Sequence, residues 1–269
     1  GSFAFDDFYT HDPSSIDFRK FGEELTQKAI RNLDAVMPPS IDSDIVVFRE
    51  NAAFVPIGMV ISQAVSAQNV LQNRSMWKDK LADKIAVDDF SFYDDSQNPE
   101  AGAGVKSFDD EGNPTQKTSI IKDGILENFL FDELRASKMN AVSTGNSWRG
   151  FGGQKFLTPP SMILPNGPTI KPGDYKLDEL IEDIKLGIIF EYFSGSFRTE
   201  NGIFSGVSKG AQLIRNGKLA EPLINVTIGG NVFDVLMNIE GMTKDTKLSN
   251  YLLTTPKIRA KGIKISTQK

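Results

Sequence analysis

Residues 107–146 read SFDDEGNPTQKTSIIKDGILENFLFDELRASKMNAVSTGN, and this stretch decides how the rest of the chain is read. Three acids, Asp109, Asp110 and Glu111, run straight into Gly112 and Pro114, which predicts a polar loop. Two short apolar runs follow, Thr118 to Ile121 and Ile125 to Phe131, with Asp123-Gly124 between them. Asp-Gly between hydrophobic runs signals a tight hairpin, because both central residues of the favoured turn take positive φ. The stretch closes on Ser143-Thr144-Gly145-Asn146, a cluster too polar to be core. A hairpin carrying an acidic loop on one side and a backbone-exposing polar loop on the other is therefore expected.

Composition narrows the chemistry. A chain of 269 residues can bury a full core as one large domain or two small ones. Lys and Arg total 30 against 35 Asp and Glu, whereas a duplex-binding surface wants a basic excess, so no nucleic-acid partner is expected. No apolar run approaches the ~18 residues of a membrane span, and no secretory signal opens the sequence. Gly1-Ser2 looks like a remnant of tag removal, so the natural chain is expected to extend upstream. Cysteine is absent and His11 is the single histidine. A thiol nucleophile, a disulfide framework and a cysteine-rich zinc site are thus excluded. His11 sits in a polar N-terminal segment and is expected to be an ordinary exposed residue. The lack of cysteine also fits a cytoplasmic protein.

Outward from the central stretch, Phe18, Phe21, Leu25, Ala29, Leu33 and Val36 recur at spacings of three and four, which predicts a core-packing amphipathic helix from Ile16 to Val36, stopped by Pro38-Pro39. Ile45 to Phe48 reads as a buried strand, and a second helix is expected to begin after Pro56. Ile85 to Tyr93 reads as a strand ending at Asp94-Asp95. Ala-Gly-Ala-Gly at 101–104 lacks the Lys-Ser/Thr of a phosphate-cradling turn. Arg149 to Lys155 is a Gly-rich segment expected to be mobile. Met162 to Leu164 predicts a short strand and Leu177 to Leu186 a helix ended by Gly187. Ile188 to Phe193 predicts a strand turned by Ser194-Gly195-Ser196. Asn216-Gly217 marks another hairpin, and Leu223 to Ile228, Leu252 to Thr255 and Ile258 to Ile265 read as strands, with Val232 to Ile239 a helix. The expected class is α+β: mostly antiparallel β, barrel-like or a curved sheet, with a few helices.

The order DDEG, Pro114-Thr115-Gln116, the Asp-Gly hairpin and then STGN with Arg149 beyond it resembles the TldD/PmbA family of proteolytic proteins. The likeness continues through Asn166, Pro172-Gly173 and Glu179-Leu180-Ile181. It extends to Phe204-Ser205-Gly206 with Gly210, to Ile214 through Lys218 with Pro222, and to Thr227 through Asn231 with Asp234-Val235-Leu236. The resemblance implies that 1–40 is an N-terminal segment with a connecting helix and 41–269 the family's C-terminal domain, its N-terminal domain lying outside this chain. The active branch resembles a zinc peptidase with a His-Glu-x-x-x-His helix and a cysteine near the C-terminus. Counting back from Ser75 places those histidines at Gly58 and Gln63 and the glutamate at Met59. None of the three supplies a zinc donor or a general base of the required kind, and Lys244 to Thr255 holds no cysteine.

That pattern resembles the zinc-less TldE/PmbA branch. It implies a non-catalytic subunit without cofactor or metal, in a heterodimer with a TldD-like zinc-bearing subunit, binding unfolded peptide along a sheet edge. Asp109, Asp110, Glu111, Ser143, Thr144, Gly145, Asn146 and Arg149 are the expected peptide- or partner-facing residues, with a purely structural role for both loops as the alternative. Two other functions stay open: a homodimer binding peptide or a small ligand by itself, and a hydrolase with Mg²⁺ or Ca²⁺ on the three adjacent acids.

Overall fold

The structure, a computed structural model, describes residues 4–10, 12–38, 40–98, 101, 105–150, 159–250 and 252–267. His11, Gly102 to Gly104 and the Gly-rich run from Phe151 lie outside the described residues. Among the described residues the main sheet has ten strands. From one edge they run Lys218–Leu223, Ala211–Arg215, Leu186–Phe190, Val46–Phe48, Leu253–Ala260, Pro168–Ile170, Phe92–Asp95, Lys117–Lys122 and Ile125–Leu126, with Ile239–Ser249 also paired to Leu253–Ala260. Only Val46–Phe48 with Leu186–Phe190, and Leu253–Ala260 with Pro168–Ile170, are parallel. A second sheet orders Lys264–Thr267, Val226–Asn231, Ile203–Lys209 and Tyr192–Phe197, and Ser147–Trp148 pairs with Met162–Ile163. The α+β class holds, and the main sheet is open rather than closed into a barrel.

Both hairpin signals act as their chemistry requires: Asp123 and Gly124 sit at φ 47° and 79°, Asn216 and Gly217 at 48° and 74°. The Val46–Phe48 run is fully buried, as a β-branched and aromatic strand between two neighbours should be. One continuous core joins it to the following helix, through Phe48, Ala52, Ile57 and Ile61, and to Phe190 and Ile258 across the sheet.

Several local expectations are corrected. The helix placed after Pro56 already begins at Glu50 and winds through Phe54–Met59 as a π-helix before continuing as Val60–Ala64. Proline lacks an N–H and its ring crowds the preceding turn, and the wider π turn accommodates it. Ser194-Gly195-Ser196 does not turn: it lies mid-strand, Gly195 facing Gly206. The Phe193 ring covers both glycines, so a Cβ at either would meet its Cζ at 2.9 or 2.8 Å. Close cross-strand backbone, with the Ser205 carbonyl oxygen 2.3 Å from a Cβ at 195 and the Ser194 carbonyl oxygen 2.6 Å from one at 206, acts together with that ring to select glycine there; flexibility does not. Strand 85–93 shrinks to Phe92–Asp95, and the helix from Leu177 ends at Ile181, leaving Gly187 inside Leu186–Phe190.

The N-terminal helix, Phe18–Arg31, buries none of its residues. Phe18 is 75% exposed and Leu33 65%, while Phe21, Leu25 and Ala29 are half-buried. Its charged face docks instead: Lys28 pairs with Asp6 at 2.9 Å and Arg31 with Glu191 at 2.7 Å. Ion pairs therefore anchor an element that hydrophobic periodicity alone assigns to the core.

Candidate functional site

The acidic loop and the STGN loop are built onto each other. Asp109 is buried, and its carboxylate accepts the N–H groups of Glu111 and Asn113 at 2.9 Å through Oδ1 and of Ser147 at 3.0 Å through Oδ2. Asp110 takes the Arg149 N–H at 2.8 Å and the Lys106 ammonium at 3.2 Å. Glu111 reaches the first N–H of the Glu133–Lys138 helix, at 3.0 Å, where a carboxylate also meets the positive end of the helix dipole. The three carboxylates thus diverge onto separate partners, and among the described residues no group of three or more His, Cys, Asp or Glu is arranged to hold a metal ion.

On the opposite loop, Thr144 Oγ1 accepts the Phe131 N–H at 2.8 Å, and Ser143 Oγ accepts the Gly145 N–H at 3.2 Å. Gly145 has φ 71°, and a Cβ there would lie 2.3 Å from the Pro114 carbonyl oxygen, so only glycine lets the two loops touch. The Asn166 amide donates to the Gly145 carbonyl at 2.8 Å and accepts the Trp148 indole N–H at 2.9 Å. Asn146, fully buried, donates to Asp94 at 2.7 Å and to the Leu164 carbonyl at 3.0 Å.

Asp94 and Asn166 are the residues that sequence reasoning did not weigh as part of this unit. Asp94 has no solvent exposure and accepts the Gly167 N–H at 2.6 Å. Burial pushes its carboxyl above the usual carboxylate range, against hydrogen bonds from Gly167, Asn146, Asn166 and Ser96 that favour the ionised form. An acid ending a strand and an Asn-Gly after a proline were the available signals; only the fold brings them under the STGN loop. Around this buried frame the outer surface is partly apolar, with Phe108 63% and Val142 83% exposed.

Gly58, Met59 and Gln63 lie on the helical run from Glu50 to Ala64. Gly58 is buried, and a Cβ at this position would come within 2.8 Å of Leu253 Cδ2. Leu253 is itself fully buried, so an isobutyl group occupies the room a longer side chain at 58 would need. Ser62 donates to the Gly58 carbonyl at 2.7 Å, and the Gln63 side-chain oxygen accepts from Asn69 at 3.0 Å. A glycine, a thioether and an engaged neutral amide beside a leucine do not make a hydrolytic zinc site, which needs imidazole, thiolate or carboxylate donors and a base.

Comparison with known proteins follows the same lines. Residues 43–267 match the model of the PmbA/TldA metallopeptidase C-terminal domain. A metalloprotease of Methanocaldococcus jannaschii is 34% identical over 84% of this chain and 49% of its own length. A zinc metalloprotease TldD homologue of Saccharolobus solfataricus is 30% identical over 72% of this chain and 43% of its own. Among solved structures, TldE from Thermococcus kodakarensis superposes with a TM-score of 0.83 at 23% identity, over 96% of this chain and 57% of that one. The chain spans about half the length of the curated relatives it matches.

Proposed function

The chain belongs to the PmbA/TldD metallopeptidase family, and from that footing we propose that it is a non-catalytic, TldE-like subunit. It pairs with a zinc-bearing, TldD-like chain and helps present unfolded peptide to that chain's metal. The observation that carries this reading is Gly58 itself, where the family resemblance puts the first metal-binding histidine and where even a Cβ would come within 2.8 Å of Leu253 Cδ2. Overall similarity does not choose the branch, since relatives at 30% identity and above include proteins named as metalloproteases. The donor chemistry at 58, 59 and 63 favours the zinc-less branch.

In this reading residues 41–269 form the C-terminal domain of a longer subunit, and the cytoplasm is its compartment. No helix among the described residues is long and apolar enough to cross a membrane. The buried halves of the two loops, Asp109 with Thr144, Gly145 and Asn146, set the frame. Glu111, Ser143 and Arg149 belong to the outer face, where exposed Phe108 and Val142 offer the apolar anchors that a partner interface needs. Peptide would add to a sheet edge through main-chain hydrogen bonds. Co-expression with a TldD-like chain tests the pairing: recovery of a stoichiometric complex supports it, and separate elution of the two chains, or a homodimer only, counts against it.

A further inference from the structure

The Phe18–Arg31 helix turns an apolar stripe to the outside. Phe18, Ile30 and Leu33 are mostly exposed, and Phe21, Leu25 and Ala29 are covered only in part. The helix is nonetheless held in one orientation, because Lys28 and Arg31 on its other side are tied to Asp6 and Glu191. Just past it, the Val36 N–H donates to the Pro222 carbonyl at 2.9 Å and the Val36 carbonyl accepts the Ile224 N–H at 3.0 Å, beside the Lys218–Leu223 edge of the main sheet. The acidic loop lies between Phe92–Asp95 and Lys117–Lys122, near the opposite edge of that sheet. This face is therefore separate from the loops offered above to a zinc-bearing partner.

Three features of the stripe are not explained by contacts within the chain. Gly22 sits mid-helix, where glycine is disfavoured, yet its φ is not positive and nothing lies within 4 Å of the place a Cβ would take. Thr26, one turn on, spends its hydroxyl on the Gly22 carbonyl at 2.7 Å. With Ala29 these residues make a low strip between the larger Phe18 and Leu33. Arg19 and Asp34 are exposed, and neither has an ion-pair partner among the described residues. Each stands at the unfavourable end of its own helix dipole, a cation in the first turn and an anion past the last. Beyond the helix, Ala35, Val207, Leu223 and Ile224 line an empty apolar hollow of about 180 Å³.

An identical helix laid antiparallel on the stripe accounts for all three. With Gly22 of one copy opposite Ala29 of the other, Phe18 falls opposite Leu33, and the small residues let the axes approach to the near end of the ~8–10 Å range of packed helices. The same register brings Arg19 of each copy beside Asp34 of the other, whereas a parallel pair would set Arg19 against Arg19. The projecting Phe18 of each copy arrives near the other's hollow at Ala35, an apolar anchor facing an apolar socket. A two-fold axis makes each contact occur twice and closes the pair. We propose that the outward face of the Phe18–Arg31 helix binds a second copy of this chain, the two helices antiparallel about an axis between Leu25 and Thr26.

Sedimentation equilibrium of the chain alone is the test, and it does not depend on any pairing with a zinc-bearing chain. The chain should form a dimer with a Kd of about 0.1 mM or tighter. Gly22→Leu meets nothing in its own chain, so it should fold at least as stably while weakening the dimer about tenfold or more. Arg19→Asp and Asp34→Arg should each weaken it about fivefold, and the two together should return it to within about twofold of the natural chain. Both exchanges suit the dipole of the isolated helix, so a weaker dimer cannot be put down to a weaker fold. A chain still monomeric at about 0.5 mM overturns the proposal and leaves this face to an upstream part of a longer polypeptide. So does a dimer that Gly22→Leu leaves unchanged, or a double exchange no tighter than the single ones.

Discussion

Replacing Gly145 by alanine probes the contact that fixes the two loops. The residue sits at φ 71°, where a Cβ costs about 1–2 kcal/mol. The new methyl would also lie 2.3 Å from the Pro114 carbonyl oxygen and 2.8 Å from Thr115 Cα, both backbone atoms that cannot step aside by changing rotamer. Overpacking of that kind costs about 1–3 kcal/mol more, so Gly145→Ala should lose about 2–5 kcal/mol in urea unfolding. Gly112→Ala supplies the internal control. Its φ is 89° and nothing lies within 4 Å of its would-be Cβ, so it should lose only the conformational part, about 1–2 kcal/mol. The gap between the two variants isolates the loop contact. The Trp148 indole proton, bonded to the same Asn166 that holds the Gly145 carbonyl, should shift in the first variant and stay put in the second. Equal losses from the two substitutions would refute the claim that these loops are locked by direct backbone contact.

Asp109→Ala should cost about 2–4 kcal/mol, because buried Ser147 loses the acceptor of its N–H along with two turns of the loop, and hydrogen exchange at the Ser147 amide should quicken. For Asp94, whose folded-state pKa is raised, the protonated carboxyl is favoured by folding. Its contribution is complete below the unfolded-state value and is lost as pH rises through the raised folded-state value. The melting temperature of the natural chain relative to Asp94→Asn should therefore fall from acid towards neutral pH, and a rise would contradict the assignment. At Gly58, alanine should be tolerated within about 1 kcal/mol, since helix propensity offsets a small displacement of Leu253. Histidine there should cost about 2–4 kcal/mol, and Leu253→Ala should recover part of that loss in a double-mutant cycle.

The hairpins were legible because Asp-Gly and Asn-Gly report a purely local requirement for positive φ, which Asp123 and Asn216 meet. The buried strand at Val46 was legible for a similar reason: Val46, Val47 and Phe48 are β-branched or aromatic and carry the strand preference locally, although both flanking strands come from far along the chain. Ser194-Gly195-Ser196 misled because the cause of its glycine is a cross-strand partner and an overlying ring, and neither is written into the tripeptide. The Phe18–Arg31 helix misled because its period is genuine while its docking is electrostatic, set by Asp6 and by Glu191, the latter about 160 residues away. At the candidate site, the motif order was readable and the division of labour within it was not. Nothing in DDEG distinguishes the carboxylate that ties down three backbone amides from the one facing outward, because that difference depends on where Ser147 and Glu133 arrive in space.

The central claim is that this chain contributes to peptide cleavage without holding the metal that performs it. It is tested most directly by a peptidase assay on an unstructured peptide with zinc supplied, first with this chain alone, then with a TldD-like chain added, with bound zinc quantified in each fraction. The expected result is no turnover and no stoichiometric zinc for this chain alone, with cleavage in the mixture and the zinc residing on the partner. Turnover by the isolated chain together with one equivalent of tightly bound zinc would contradict it.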